Sequence, residues 1–268
     1  MLDRLDGMKW KLWRAEQHGQ ALYNATQAFF QTEFYRTRAE QDSEGRLVFF
    51  VTEVDPMPPE WGLMIGDTAH NLRSALDHLI FLLAKPVGEK EEKAVQFPLF
   101  DSPEKWDNAE GRNVPGVAPG VEALVESLQP YNSGKWPNTA LLGQIQAIDN
   151  WDKHRALLTT ATSSEIARLT TTISANANLV SEERFRGELK PGAILARIKL
   201  GNPVKGDKVS VHPEMTFIPI FDSSMPEPIR GRPVLDTLAN AGQFIQGEVI
   251  PMFFHFVWPE HFVSIHRK

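Results

Sequence analysis

The chain has 268 residues, 42% hydrophobic and 23% charged, proportions that exclude a disordered or collagen-like polymer and give enough length to bury a core without staples. It has no cysteine, which excludes a disulfide framework, a zinc finger and a cysteine nucleophile and fits a reducing compartment. Lys plus Arg total 28 against 34 Asp plus Glu, a formal net charge of −6, so a strongly basic nucleic-acid coat is absent while a local basic site is not excluded.

Leu5, Met8, Leu12, Ala15, Gly19, Leu22, Thr26 and Phe29 recur at steps of three and four and lay a seam along a helix, its apolar surface widened by Trp10 and Trp13. Residues 32–41 and 46–54 are rich in β-branched and aromatic side chains around Asp42-Ser-Glu-Gly45, a hairpin pattern. Asp55-Pro-Met-Pro-Pro59 ends it. Residues 61–84 form the clearest helix, stopped by Lys85-Pro86. Residues 86–118 read as a long polar connection punctuated by prolines. Residues 121–128 predict a short helix and 139–158 a longer one. Further on, 169–173, 194–200, 208–212 and 215–221 predict strands between Gly and Pro turns. Pro233 suits the first turn of a last helix.

The expected fold is α+β in a single domain, 1–268. Helices from 1–31, 60–85, 119–158 and 232–250 form the core, with an inserted β-hairpin at 32–54 and a β-rich section at 159–222 before the last helix. The N-terminus lacks the long apolar stretch of a signal peptide, and the most apolar runs, 47–54 and 250–258, are too short to span a bilayer as a helix. The expected location is the cytoplasm.

The unusual chemistry lies in Gly66-Asp-Thr-Ala-His-Asn-Leu-Arg-Ser-Ala-Leu-Asp-His-Leu79. On a wheel of about 100° per residue, Ile65, Ala69, Leu72, Ala75, Leu76, Leu79, Ile80 and Leu83 fill one side. Arg73, Asp77, His70, Ser74, Asp67, His78 and Asn71 fill the other. An ordinary solvent face is built from Lys, Glu and Gln, which are good helix formers, and residues 66–84 contain none. Asp, Asn and Ser lower helix propensity by competing for backbone hydrogen bonds. The stripe therefore implies a polar network facing the interior or a cleft. A satisfied network that only fixes helix register is the alternative.

The segment Ala147-Ile-Asp-Asn-Trp-Asp-Lys-His-Arg-Ala-Leu157 is apolar on all sides of its wheel and is expected to be buried. Asp149, Asp152, Lys153, His154 and Arg155 then need partners, because buried charges persist only when paired. The economical source is the 66–84 helix; local pairing at a helix end is the other.

Arg73-Ser-Ala-Leu-Asp-His78 fits the pattern R-x4-H. With both residues on the polar side of an amphipathic helix, it resembles the motif of HEPN proteins. These are small helical bundles, many of them metal-independent endoribonucleases in toxin–antitoxin, abortive-infection and CRISPR-linked systems. The resemblance implies RNA as partner, no cofactor, a site built across a homodimer and a role in phage defence or toxicity. It implies that Arg73 holds the phosphate through its fork of donors and that His78 is the base or acid. Asp67, His70, Asn71, Asp77, Asp149, Asp152 and His154 would support them.

Two other expectations stand beside this. A metal-dependent hydrolase would use His70, His78, His154 and Asp67 as nitrogen and oxygen ligands between helices, a set suited to zinc, iron, nickel or manganese. A non-catalytic binding protein would use the β-rich section as its contact surface, with the polar stripe purely structural. There is no phosphate loop, GxGxxG or GxSxG pattern, so P-loop, dinucleotide and α/β-hydrolase chemistry lack support. His212, His255, His261 and His266 are scattered and read as surface or core residues.

Overall fold

A computed structural model of the chain describes residues 4–85, 87–108, 114–154, 158–173, 178–202 and 209–257. The chain is α+β. Its contacts divide it into two compact units: a helical one, made of Met1–Tyr23, Pro59–Thr159 and Ser223–Lys268, and a strand-bearing one, made of Asn24–Pro58 and Thr160–Asp222.

Helix α1 (Arg4–Phe30) enters the helical unit along its expected seam, with Met8, Ala15 and Leu22 buried. Trp10 and Trp13 do not widen that seam. They are 60% and 48% exposed, because 100° per residue carries positions 10 and 13 nearly opposite to it. Helix α2 (Glu60–Leu83) is the central element, burying Trp61, Ile65, Ala69, Leu72, Leu76, Leu79 and Ile80.

The stretch after α2 is not a bare connection. It holds α3 (Glu89–Ala94) and α4 (Pro103–Asn108) and buries Phe97 and Trp106. Each aromatic plugs the core alone, so no periodicity announces it. Helix α5 (Pro119–Ser127) follows, then a 3-10 turn (Pro130–Gly134) and α6 (Thr139–His154). Between α5 and that turn, the buried Gln129 donates to the Pro98 carbonyl at 2.9 Å and accepts the Phe100 N–H at 2.8 Å. Residues 155–157, expected to continue α6, lie outside the described residues.

Helix α7 (Val234–Phe244) runs through a π turn (Ile245–Val249) into α8 (Ile250–Met252), followed by α9 (Phe254–Val257). Pro251 explains the π turn. Proline lacks an N–H and its ring crowds the carbonyl four residues back, and the wider turn lets that carbonyl step aside. Helix α2 packs against both α6 and α7.

The second unit has strands β1 (Tyr35–Gln41), β2 (Leu47–Val54), β3 (Thr160–Ile173), β4 (Asn178–Arg184), β5 (Arg186–Glu188), β6 (Ile194–Gly201) and β7 (Val209–Phe221). They form two antiparallel sheets, ordered β1-β2-β6-β4 and β5-β3-β7. The hairpin turn is held by Asp42, which accepts the N–H groups of Glu44 and Arg46, while Gly45 takes φ +74°. Phe34, Val51, Leu189, Leu195 and Ala196 form the core. The strands expected at 208–212 and 215–221 are one strand, β7, with Pro213 paired to Leu169. Proline in a strand is confined to edge strands and bulges, and β7 is an edge strand of its sheet. Strand β3 starts at Thr160 rather than 169, and β4 was not expected, because their polar sequences lack an alternating apolar face. No described helix is long and apolar enough to cross a membrane.

Candidate functional site

Helix α2 carries the polar stripe through the helical unit and sends its residues to different neighbours. Arg73 is 6% exposed. Its Nε donates to Gln146 Oε1 on α6 at 2.9 Å, one terminal nitrogen donates to Asp77 Oδ1 at 2.6 Å, and the other donates to the Phe97 carbonyl. Asp77 Oδ1 also accepts the Phe97 N–H at 2.8 Å. One pair on α2 thus satisfies both backbone groups of a buried residue, as burial requires. Burial raises the Asp77 carboxyl above its ordinary value, against the pull of the Arg73 guanidinium and the Phe97 N–H. Every guanidinium nitrogen of Arg73 has a protein partner, so the fork expected to grip a phosphate is engaged within the fold.

His78 lies against α1. A Cβ on Gly7 would come within 3.0 Å of the imidazole Nδ1 and Cε1, so glycine at that position makes room for the ring. Five residues turn an α-helix about 140° past one revolution. Arg73 therefore reaches α6 and Phe97 while His78 reaches α1.

A third cluster forms where α2 faces α6 and α1. His70 Nδ1 is 3.1 Å from Asp149 Oδ1, and Lys153 Nζ is 2.7 Å from Asp149 Oδ2. The Asp149 side chain is 3% exposed, those of His70 and Lys153 43% and 42%. An ionised carboxylate only accepts. Nδ1 is therefore the donor of this bond, and Nε2 takes no part in it, on a half-exposed ring. Asp152 packs onto the backbone of α2 at Gly66, where a Cβ would fall 2.4 Å from its carboxyl carbon. Burial, with Asp67 and Asp149 beside it, pushes the Asp152 carboxyl above its ordinary value; His70 and Lys153 oppose the shift.

Helix α1 adds a residue the sequence did not single out. His18 Nδ1 is 3.7 Å from Asp67 Oδ2. Burial lowers this imidazole below its ordinary value; Asp67 opposes the shift and Arg14 adds to it. The only signal in the sequence was that His18 flanks the apolar seam, as many surface residues do.

The remaining expected residues do less. Asn71 donates to the Asp67 carbonyl within α2 at 2.8 Å, and His154 is exposed at the end of α6. Arg155 lies outside the described residues, as do His261 and His266. Among the described residues no group of three or more His, Asp or Glu is placed to hold a metal ion. The ligand set His70, His78, His154 and Asp67 is therefore not assembled: His78 faces α1 while His154 stays at the surface. No family model, no curated protein and no solved structure matches this chain.

Proposed function

We propose that the helical unit is the catalytic part of a metal-independent endoribonuclease in which His70, rather than His78, accepts the proton and Asp152 donates one. The observation that carries this reading is the chain Lys153–Asp149–His70, with a buried carboxylate gripping Nδ1–H at 3.1 Å and Nε2 outside that bond. A carboxylate so placed fixes the imidazole tautomer and stabilises the imidazolium that forms during reaction.

The reaction balances without a co-reactant. Nε2 of His70 takes the proton of a ribose 2′-hydroxyl, and the 2′ oxygen attacks the adjacent phosphorus. The P–O5′ bond breaks and the leaving oxygen takes the proton of Asp152. The products are a 2′,3′-cyclic phosphate and a 5′-hydroxyl, and solvent returns the proton from His70 to Asp152. The raised pKa of Asp152 supports its role as donor. Lys153 supplies positive charge beside Asp149 and Asp152.

The test is product analysis in a chelating buffer. The protein should cut a labelled RNA to fragments ending in 2′,3′-cyclic phosphate and leave the 2′-deoxy counterpart intact. No cleavage of RNA, or equal cleavage of both, contradicts the proposal. A binding protein with a structural polar stripe is the second reading. It is favoured by one observation, the full engagement of Arg73, and predicts no cleavage by the wild type.

A further inference from the structure

Helix α1 has an outer face that the proposed chemistry does not use. From Gly7 to Ala15 the sequence is Gly-Met-Lys-Trp-Lys-Leu-Trp-Arg-Ala, with three cations and no acid, in a chain whose net charge is −6. Trp10 and Trp13 are 60% and 48% exposed. Their ring centroids are 5.6 Å apart and their planes stand at 89°, so the two indoles form an open corner rather than a closed stack. Lys9 and Arg14 are exposed beside them.

This face is continuous with the candidate site. Gly7 touches His78, and His18 reaches Asp67, so one edge of α1 borders the polar stripe of α2. Trp10, Arg14 and His18 follow one another at steps of four and are surface neighbours along the helix. From Trp10 to His18 the ladder covers about 12 Å at 1.5 Å per residue.

We propose that Trp10 and Trp13, with Lys9, Lys11 and Arg14, are a platform for single-stranded RNA that feeds the site at His70. Exposed indoles stack on unpaired bases of any sequence, and flanking cations track the phosphates. The positive charge of this stretch is complementary to a polyanion. The same face fits a lipid surface less well. A helix lying in a membrane interface needs a broad apolar face, whereas Glu16, Gln17 and Gln20 continue the exposed side of α1. The identity of the strand as substrate rests on the ribonuclease reading; the binding does not.

The experiment titrates the full chain with a fully 2′-O-methylated oligouridine, which binds but cannot be cut, following tryptophan fluorescence and the anisotropy of a label on the oligonucleotide. The wild type should bind with an affinity that falls steeply with salt. Trp10→Ala with Trp13→Ala should weaken binding about tenfold or more, and Trp10→Phe with Trp13→Phe should keep most of it. Equal affinity of the double alanine variant and the wild type overturns the platform. So does binding to phosphatidylserine vesicles without binding to RNA. Tryptophan-dependent binding by a chain that cuts nothing supports the platform and counts against the ribonuclease reading alone. Cleavage with no tryptophan dependence does the reverse.

Discussion

Arg73 and Asp77 stand one turn apart on α2, joined at 2.6 Å, and together hold the N–H and the carbonyl of Phe97. The pair fastens the segment after α3 to the central helix. Removing the guanidinium leaves a half-buried carboxylate and a buried carbonyl without their partner. Arg73→Met should cost about 3–5 kcal/mol of stability, the range for breaking a buried ion pair from one side. Asp77→Asn keeps an acceptor and should cost only about 1–2 kcal/mol. Urea unfolding of the two variants checks the order. If Arg73→Met unfolds at the same urea concentration as the wild type, the pair is not a fastening.

The contact of Asp152 with Gly66 makes a sharper prediction because its sign changes with background. In the wild type a Cβ at 66 would meet the Asp152 carboxyl carbon at 2.4 Å, so Gly66→Ala must displace that carboxyl and should destabilise. With Asp152→Ala already present the obstacle is gone, and alanine should stabilise by up to about 1 kcal/mol through helix propensity. A double-mutant cycle measures the coupling. Two independent, additive effects would show that the two residues do not touch.

The raised carboxyl of Asp152 sets a dependence on pH. A carboxyl whose folded pKa lies above its unfolded value favours the fold while protonated, and that favour is lost as pH rises through the unfolded and then the folded pKa. Asp152→Asn removes a charge that is disfavoured at neutral pH. The variant should therefore melt higher than the wild type at pH 7, and the difference should shrink as pH falls toward the ordinary carboxylate value of about 4. A lower melting temperature at pH 7 would mean that the charged form is stabilised instead.

His18 acts in the opposite sense. Its folded pKa is depressed by burial, with Asp67 opposing and Arg14 reinforcing. Its contribution is complete above the ordinary imidazole value of about 6.5 and is lost as pH falls from there through the folded pKa. His18→Gln should flatten the loss of stability between pH 7.5 and 5.5 seen by urea unfolding. An unchanged slope would remove His18 from the pH response.

The main helices were legible because each has a period, and the hairpin because of its composition and turn. The seam of α1 and the apolar side of α2 are surfaces that bury, and burial selects their period, while the hairpin showed in the β-branched and aromatic content of β2 around its turn. Phe97, Trp106 and Gln129 were not legible, because Phe97 and Gln129 lie between helices and the six-residue α4 that carries Trp106 is too short to show a period. The absence of Lys, Glu and Gln from 66–84 drew attention to α2, and the need of buried charge for partners pointed to the segment that supplies Asp149 to His70 and Asp152 to Gly66. The division of labour was hidden. Arg73 and His78 share a motif in sequence, but the turn between them gives one to α6 and the other to α1, and the partner of His70 lies 79 positions away. Strand β7 was read as two because a proline interrupts it, and only its place at a sheet edge explains why the strand continues.

The measurement that bears most directly on the central claim is the single-turnover rate of RNA cleavage in four chains: wild type, His70→Ala, Asp149→Asn and His78→Ala. Loss of the proton-transfer group should slow the His70 variant about a hundredfold or more. Asp149→Asn should also be slow, because the ring loses the carboxylate that orients it. The His78 variant should stay within a few-fold of the wild type. A His70→Ala protein that cuts RNA at the wild-type rate, or a loss confined to His78→Ala, would contradict the account.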